Sequence, residues 1–239
     1  MDQLEQLLEK VKTYDWGQSR VALTQITEII KKAHGDKAEL AKIEKGLLGV
    51  LNSNAKRAGK QFACRQLSII GTDASVPTLG RMLTGEETSD MARYALERIP
   101  GPAADDALLS ALGKATGKPK IGIVNSLGQR KCSKASSALA AMLSSSDQTL
   151  AAAAAAALGQ IADATAAEAL AKAVGTTTGK VRMRVLDSYL RCADKLAEQG
   201  RRAQALAIYR QLQKPDMPKP IRTAALRGVI STTKTRSRR

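Results

Sequence analysis

The side chains of this sequence that are best suited to binding chemistry are arginines near its C-terminal end. A guanidinium offers five hydrogen-bond donors in a rigid fork, so it pairs well with carboxylates and phosphates. Residues 180–239 hold 16 Lys and Arg against 4 Asp and Glu. The candidate contacts for an anionic partner are Arg182, Arg184, Arg201, Arg202, Arg210 and Arg222. A solvated face that keeps the chain soluble is the simpler explanation of the same charge.

Positive charge is concentrated in one half of the chain. Residues 1–119 contain 17 Lys and Arg against 15 Asp and Glu, and residues 120–239 contain 21 against 7. A one-sided positive field attracts acidic protein surfaces and nucleic acids, and it raises association rates. Because aromatic residues make up only 3% of the chain, base stacking has little to work with, and an acidic protein is the preferred partner.

Other patterns that support catalysis or metal binding are missing from the sequence. The one histidine, His34, stands beside Gly35 at a predicted helix end, so it supplies neither a zinc cluster nor a nucleophile–base pair. Residues 113–118, GKATGK, lack the preceding strand and the Lys-Ser/Thr ending of a phosphate loop. The three cysteines have no paired spacing, which predicts buried thiols rather than disulfides. We therefore expect no catalytic residue, no cofactor and no metal.

The sequence also bears on the compartment. No apolar run approaches the roughly 18 residues that span a bilayer. The N-terminus, MDQLEQLLEKVK, is a charged amphipathic helix without the apolar centre of a signal peptide. We expect no membrane association and, by default, a cytoplasmic protein. A piece of a longer exported protein would have the same features.

The scaffold that must position the arginines is a helical repeat. Leu158 is followed by Leu170 after 12 residues and by Val174 after 16. The same two offsets recur in three earlier trios: Leu127, Leu139 and Leu143; Leu96, Leu108 and Leu112; and Leu67, Leu79 and Leu83. Such a period, about 31 residues, marks an array of helix pairs, each of which cannot bury its apolar face alone.

Turn chemistry separates the helices. Asp73, Ser133 and Asp163 can accept hydrogen bonds from free N–H groups at the start of second helices, and Pro102 suits a first helical position. Trp16, the one tryptophan, is expected to be a hydrophobic cap over the first hairpin. In total the pattern predicts about fourteen helices in seven pairs.

These elements divide the chain as follows. Residues 1–230 are predicted to be one repeat domain, with N-terminal capping helices at 1–54, regular repeats of about 31 residues at 55–179 and longer repeats at 180–230. The final helix is expected to end at Ile230. Residues 231–239, STTKTRSRR, have no apolar stripe and are predicted to be a disordered basic tail.

Hairpins of this length, with Leu-Gly or Leu-x-x-Ile near the end of the first helix and Asp at the turn, resemble HEAT repeats. The matching phrases are LGQIADATAAEALAKAV at 158–174, LSIIGTDASVPTLGRML at 67–83 and PIRTAALRGVI at 220–230. The resemblance implies an all-α solenoid, a right-handed superhelix of about seven stacked antiparallel helix pairs. Phrases such as KQFACRQL at 60–67 look like the HEAT-type arrays of large bacterial multidomain proteins.

The resemblance also frames the expected function, since HEAT arrays are generally scaffolds that bind another macromolecule. HEAT-like iron hydroxylases use His-Glu pairs, which a chain with one histidine cannot supply. HEAT-like alkylpurine DNA glycosylases are similar in size and charge but need aromatic side chains around a catalytic carboxylate, and Asp187 near Tyr189 is the only candidate pair. Nothing singles out the HEAT-like bilin lyases.

We therefore expect a non-enzymatic, monomeric HEAT-repeat scaffold that binds a protein with an acidic surface. The alternative is a nucleic-acid-binding HEAT-like protein that uses the basic C-terminal half. A DNA glycosylase-like enzyme is a more distant alternative.

Overall fold

The computed structural model describes residues 2–234 of the chain. Over this range the backbone forms fourteen α-helices, two short 3-10 helices and no strand. Contacts between residues group the chain into two compact units, one ending at Ile123 and one beginning at Val124. The predicted all-α fold and the predicted number of helices are confirmed.

The first unit is built from helices that stack on the helix two places along the chain. Its complete α-helices are α1 (Gln3–Thr13), α2 (Val21–Lys32), α3 (Lys37–Leu51), α4 (Arg57–Ile70), α5 (Val76–Met82), α6 (Ser89–Leu96) and α7 (Pro102–Leu112). A 3-10 helix, Asp73–Ser75, precedes α5. Helix α4 packs on α6 and α5 packs on α7, which is the contact pattern of successive repeat hairpins.

The second unit repeats this arrangement. Helix α8 (Gly117–Gln129) crosses the boundary between the units, and a 3-10 helix, Ser133–Ala135, follows it. The remaining helices are α9 (Ser136–Met142), α10 (Gln148–Ile161), α11 (Ala164–Thr176), α12 (Gly179–Glu198), α13 (Arg202–Leu212) and α14 (Lys219–Lys234). Helix α10 packs on α12, and α9 packs on α11.

Short polar side chains start several helices. The Asp2 carboxylate accepts a hydrogen bond of 2.8 Å from the backbone N–H of Glu5, and the Glu5 side chain accepts one of 3.0 Å from the N–H of Asp2. This reciprocal pair satisfies two N–H groups that the first turn of α1 leaves free. Asp36 caps α3 in a similar way, with bonds from the N–H groups of Ala38 and Glu39.

The predicted helix-start residues are partly correct. Asp163 caps α11 by accepting a hydrogen bond of 2.7 Å from Ala166, and Pro102 is the first residue of α7. Asp73 and Ser133 do not act as caps, because each is already the first residue of a 3-10 helix. Thr72, one residue earlier, caps the first of these helices with its hydroxyl oxygen.

The repeat anchors form the core of both units. All of the leucines in the four predicted trios are buried, and Leu158 is fully buried. Val174 is half-buried instead, since α11 turns Leu170 and Ala173 inward. The leucine spacing in the sequence therefore marks the inward faces of these helices.

The C-terminal end differs from the prediction. Helix α14 continues to Lys234, so the expected helix end at Ile230 and the expected disorder from residue 231 are wrong for residues 231–234. The reason is that Thr232 is buried and extends the inward face formed by Ile221, Ala225 and Gly228. Residues 235–239 of the predicted tail lie outside the described residues. The single-domain organisation and the right-handed superhelix remain predictions.

Candidate protein-binding surface

Two of the six predicted arginines have structural contacts. Arg182 Nε donates a hydrogen bond of 3.2 Å to the carbonyl of Val174 in the last turn of α11. Arg201 Nη1 donates one of 3.5 Å to the carbonyl of Ala162, the residue that ends α10. Carbonyl groups at helix ends have no partner within the helix, so these guanidinium groups satisfy them. Arg182 and Arg201 therefore help to hold the repeats together.

The other four arginines are dispersed over three helices. Arg184 on α12 and Arg210 on α13 are exposed, whereas Arg202 on α13 and Arg222 on α14 are half-buried. Within residues 2–234, no hydrogen bond or ion pair links these four to a shared acceptor. Helices α12, α13 and α14 pack on one another, and a single site formed by the six predicted arginines remains a prediction.

The exposed face of α12 is also less basic than the composition of the C-terminal half indicates. Asp187, Asp194 and Glu198 follow Arg184 at helical spacing. Lys195 forms an ion pair of 2.6 Å with Glu198. The Asp194 carboxylate accepts a hydrogen bond of 2.6 Å from the Tyr209 hydroxyl. Positive charge on this helix is therefore partly compensated.

The carboxylate and aromatic pair considered for a glycosylase-like site does not come together. Tyr189 is buried, and its hydroxyl donates a hydrogen bond of 2.7 Å to Gln211 Oε1. Asp187 is exposed on the same helix. Residues two apart on a helix point in different directions, so Tyr189 does not line a pocket around Asp187.

A pocket in the first unit is the better candidate. It has a volume of about 950 Å³ and lies among α2, α4, α6 and the segment that joins α1 to α2. All four aromatic residues of the first unit line it: Tyr14, Trp16, Phe62 and Tyr94. Clefts of this size lined by aromatic side chains are the usual form of binding sites in proteins.

Helix α4 contributes one whole face to the pocket. Ala58, Phe62, Arg65 and Ile69 follow each other at intervals of three or four residues, so they lie in a row along the helix. Leu67 points the other way and is fully buried in the core. Ile69 is 68% exposed. Ala58 in this row is also buried, so Phe62 and Ile69 are the apolar residues of the row that the repeat core does not enclose.

The neighbouring helices supply matching rows. Met91 and Tyr94 on α6, followed by Arg98, line one side of the pocket. Thr24 and Thr27 on α2 line another side. Because these residues are also three or four apart, the helices align them in rows along this part of the pocket wall.

Trp16 stands at the edge of this pocket. Its side chain is 56% exposed, and its expected role as a hydrophobic cap over the first hairpin remains a prediction. The guanidinium carbon of Arg57 lies 5.7 Å from the centroid of its ring, within the range of a cation–π contact. Arg57 is itself held in place, since its Nε donates a hydrogen bond of 3.2 Å to the carbonyl of Glu87.

Tyr94 is the second exposed aromatic residue of the pocket. The guanidinium carbon of Arg98 lies 3.8 Å from the centroid of its ring. Arg98 Nη1 also donates a hydrogen bond of 2.8 Å to the Tyr94 carbonyl. These two contacts fix the ring and the cation relative to each other at the end of α6.

The pocket carries uncompensated positive charge. Arg20, Arg65 and Arg98 line it, against Asp90 as the one acidic residue among its described lining. Asp90 lies 4.0 Å from Arg57, and Arg98 lies 3.9 Å from Glu97. Arg20 and Arg65 are exposed and form no ion pair with any residue from 2 to 234. Their charges are therefore available to an anionic group from outside.

A buried hydrogen-bond acceptor also lines the pocket. Gln66 is 4% exposed, and its Oε1 atom accepts no hydrogen bond from the described part of the chain. A buried carbonyl oxygen without a donor is costly, and native structures contain few of them. This oxygen is shielded from solvent, so it lies beneath the surface of the pocket.

Cys64 lines the pocket as well, but it is not a reactive thiol. Burial raises its pKa to about 12, and the nearby Asp90 carboxylate adds to the effect. The thiol is therefore neutral near pH 7, whereas nucleophilic attack and metal binding require the thiolate. Residues 2–234 contain no group of three or more His, Cys, Asp or Glu side chains placed to hold a metal ion. Over the same range, the helices are too short or too polar to cross a membrane.

Sequence reasoning missed this pocket. The signal that could have revealed it is the pair Phe62 and Ile69 on α4, which lies outside the leucine period, together with the position of four of the six aromatic residues before residue 95. The leucine period dominated the pattern because it marks the core, and outward-facing apolar residues such as Ile69 fall outside that period.

Comparison with known families agrees with the helical architecture. Residues 105–191, which run from α7 into α12, match the family model described as HEAT repeats. This match confirms, for residues 105–191, the resemblance to HEAT repeats that the sequence predicts. No curated protein matches the chain.

Several solved structures are similar to the chain at low sequence identity. The complex of CpcE and CpcF of phycocyanin lyase from Nostoc sp. PCC7120 is 18% identical, with 97% of this chain and 95% of that chain covered and a TM-score of 0.47. Human deoxyhypusine hydroxylase in complex with glycerol is 17% identical, with 78% and 96% covered and a TM-score of 0.37. An engineered protein is 20% identical, with 98% and 100% covered and a TM-score of 0.34. Similarities of this strength do not transfer an activity from one protein to another.

Proposed function

We propose that this chain is a non-enzymatic HEAT-repeat scaffold that binds a protein with an acidic surface through the pocket of its first unit. The observation that carries the proposal is the combination of exposed Trp16 and Tyr94 with Arg20 and Arg65. Trp, Tyr and Arg are the residue types most enriched where protein interfaces gain their binding energy.

The acidic character of the partner follows from the charges at the pocket. Arg20 and Arg65 have no carboxylate partner among the described residues, so a partner carboxylate can pair with either of them without displacing an existing contact. The net charge of +16 for the whole chain adds a long-range attraction for the same partner. Exposed Arg184 and Arg210 belong to that wider field.

The alternative function, nucleic-acid binding by the basic C-terminal half, makes a different demand on the chain. Such binding would consist mainly of phosphate contacts and would weaken steeply as salt rises. Arg184 and Arg210 are the predicted contacts that remain exposed, but they lie on different helices. The aromatic residues of the second unit, Tyr189 and Tyr209, are buried, so stacking on bases does not support this alternative.

Site-specific photo-crosslinking tests the proposal. Ile69, which is 68% exposed in the pocket, is replaced by the photoreactive residue benzoylphenylalanine. The matched control carries the same residue at Leu226, which is 51% exposed on α14. After irradiation in an extract of the source organism, we expect the position 69 variant to form discrete adducts that are sensitive to protease and resistant to nuclease.

The charge requirement is tested in the same experiment by adding Arg65→Glu. We expect this second substitution to suppress the adducts at position 69, because it places a carboxylate where the partner's carboxylate binds. Equal adducts from positions 69 and 226, or adducts that nuclease removes, would contradict the proposal.

A direct binding measurement separates the two functions. Fluorescent single-stranded and duplex oligonucleotides are titrated with the protein at physiological ionic strength, where the screening length is about 8 Å. We expect little or no binding at micromolar protein. Micromolar or tighter binding that is lost in the Arg184→Glu, Arg210→Glu double variant would favour the nucleic-acid alternative instead.

A further inference from the structure

We propose that the partner segment that binds the pocket is an amphipathic α-helix that lies along α4. This inference rests on the proposed function, since it specifies the form in which the acidic partner enters the same pocket. Three features of the pocket carry it: its helical walls, the spacing of the exposed apolar residues on α4, and the helix α2 that is already docked beside it.

The walls of the pocket limit what the backbone of a partner can do there. Helices α2, α4 and α6 engage their backbone N–H and C=O groups in hydrogen bonds of their own. Residues 2–234 contain no strand, so an extended partner segment finds no sheet edge there that it could join. A helical partner needs no such edge, because its backbone groups are satisfied within the helix. Binding then depends on side chains, as it does when an amphipathic helix occupies a groove.

The exposed apolar side chains of α4 have the spacing that a partner helix can match. Phe62 and Ile69 are seven residues apart in one row along the helix, which corresponds to about 10.5 Å along its axis. A partner helix that runs along α4 has the same rise, so its apolar residues at positions i and i+7 can contact both side chains at once. An extended segment repeats one face at multiples of about 6.6 Å, which matches this distance less well.

Aromatic side chains from two other elements line the same pocket. Trp16 lies in the segment between α1 and α2, Tyr94 lies on α6, and both rings are exposed. A helix seated on Phe62 and Ile69 covers these rings with the flanks of its apolar stripe. Because the gain in free energy grows with the apolar area removed from water, this arrangement favours a stripe over a single anchoring side chain.

Helix α2 shows that this part of the fold accepts an amphipathic helix. It packs on α1, and its buried residues Leu23, Ile26 and Ile30 follow one another after three and four residues. Thr24 and Thr27 of the same helix line the pocket. A partner helix would thus lie against α2 and repeat on α4 the kind of contact that α2 makes with α1. We expect its apolar stripe to have the same spacing, i, i+3 and i+7.

Fluorescence anisotropy with designed peptides tests the inference. The probe is a fluorescein-labelled peptide of about 15 residues, long enough to form a helix when bound. It carries leucines at positions i, i+3 and i+7, with glutamate and alanine elsewhere. One matched peptide has the same composition with the leucines moved off the common face, and a second has proline in place of a central alanine. We expect the unsubstituted protein to bind the probe at least about tenfold more tightly than either matched peptide, because one change breaks the stripe and the other breaks the helix.

Two protein variants assign the binding to α4. Ile69→Glu places a carboxylate in the exposed row and is expected to weaken binding of the probe about tenfold. Leu226→Glu makes the same change in net charge at an exposed residue of α14 outside the pocket, and it should leave binding unchanged. Because both positions are exposed, neither substitution should unfold the protein, which urea denaturation checks. The comparison of peptides on the unsubstituted protein does not depend on either variant.

The possible failures are distinguishable. Equal binding of the probe and the proline peptide would show that the occupant need not be a helix. That result, no binding of any peptide, or equal weakening by Ile69→Glu and Leu226→Glu would overturn this inference. Dimerisation of the chain that Ile69→Glu abolishes would assign the pocket to a second copy and would also overturn it. If adducts to another protein still form at position 69 in the crosslinking experiment, the proposed function survives the failure of the peptides. If those adducts are absent as well, the proposed function fails with the inference.

Discussion

The carboxylate of Glu44 accepts a hydrogen bond of 2.5 Å from the hydroxyl of Ser75, and this bond ties α3 to the turn that follows α4. The same carboxylate accepts hydrogen bonds from the backbone N–H of Thr72, at 2.8 Å, and from its hydroxyl. Both Glu44 and Ser75 are buried. A charge held by three donors in this way is satisfied although water does not reach it.

A similar hydrogen bond occurs in the second unit, but there the hydroxyl lies on the helix and the carboxylate lies in the turn. There the hydroxyl of Ser136, at the start of α9, donates a hydrogen bond of 2.6 Å to the carboxylate of Asp163 in the turn that follows α10. In both units an acid–hydroxyl bond therefore joins the second helix of one hairpin to the turn of the next. Such bonds add specificity to a stack that is otherwise held by apolar contacts.

The substitution Glu44→Ala tests the value of this tie. It removes the acceptor for Ser75 and Thr72 and leaves the buried Ser75 hydroxyl unsatisfied. We expect the free energy of unfolding to fall by about 3 kcal/mol, the upper part of the range for a buried group that loses its partner. The measurement is urea denaturation followed by far-UV circular dichroism. Glu86→Ala, at an exposed turn position, is the control and should have almost no effect; equal effects of both substitutions would refute the role of the tie.

Leu158 provides a test of the repeat core. It is fully buried in α10, so Leu158→Ala should lower the free energy of unfolding by about 2–5 kcal/mol through loss of apolar burial and formation of a cavity. Val174→Ala should cost less, because Val174 is only half-buried. Denaturation curves of the two variants measure the difference. A Leu158→Ala protein as stable as the parent would show that this position is not a core anchor.

Two glycine-to-alanine substitutions are expected to change the free energy of unfolding in opposite directions, because a neighbouring helix approaches closely at only one of the two glycines. A Cβ atom at Gly159 in α10 would lie 2.6 Å from the backbone oxygen of Ser188 in α12, so Gly159→Ala forces these helices apart. Gly175 in α11 has open space around its Cβ position and an exposed backbone. Gly175→Ala should therefore stabilise the protein by up to about 1 kcal/mol through helix propensity, whereas Gly159→Ala should destabilise it.

Thermal or urea denaturation of the two variants is the measurement. Because both substitutions add the same methyl group, they are controls for each other. A stabilising effect at Gly159 would mean that α10 and α12 do not meet at this position.

The parts of the fold that sequence could predict are those governed by one strong local rule. Leu67 and Leu158 recur at the same offsets because each must fill the same place in a hairpin, so their burial could be read from spacing alone. Pro102 and Asp163 also act as predicted, since helix starts have a narrow choice of residues. The prediction for Asp73 is wrong because the 3-10 helix begins at Asp73 itself, so the capping position falls one residue earlier, at Thr72. Local sequence rules do not fix a helix start to a single residue.

The arrangement of the candidate site depends on contacts between helices that are distant in sequence, so the sequence signals on single helices did not reveal how its residues meet. Trp16 and Arg57 are 41 positions apart and meet only in the folded unit. For the predicted arginine contacts, closeness in sequence was not sufficient. Arg182 and Arg201 are close to other arginines in sequence, but in the fold they donate hydrogen bonds to backbone carbonyls. Composition reports how many cations are present, whereas the fold decides which of them remain available to a partner.

Buried thiols and a buried phenol predict how stability depends on pH. Burial raises the pKa of Cys64, Cys192 and Tyr189 each to about 12, above the ordinary values of 9.0 for Cys and 10.0 for Tyr. At a pH above the ordinary values the unfolded chain loses these protons while the folded chain keeps them. The stabilising contribution is therefore complete below pH 9 and declines as the pH rises toward 12.

Urea midpoints measured from neutral to alkaline pH test this prediction. We expect the midpoint to be steady near neutrality and to fall at alkaline pH, with a shallower fall in Cys192→Ala, which removes one of the three groups. The thiol reagent DTNB should react slowly with the native protein at neutral pH and rapidly in urea. Fast reaction of all three thiols in the native state would contradict their burial.

Trp16 reports directly on the charge of the pocket, because it is the one tryptophan of the chain. Its ring is 56% exposed, and the Arg57 guanidinium lies 5.7 Å from the ring centroid. An anion is concentrated near such a cation and a cation is repelled from it. We therefore expect iodide to quench Trp16 fluorescence more strongly than caesium at the same ionic strength. The difference should shrink in Arg57→Gln and disappear in urea, where the Arg57 charge no longer stands beside the ring. Equal quenching by the two ions in the folded protein would show that no positive field surrounds Trp16.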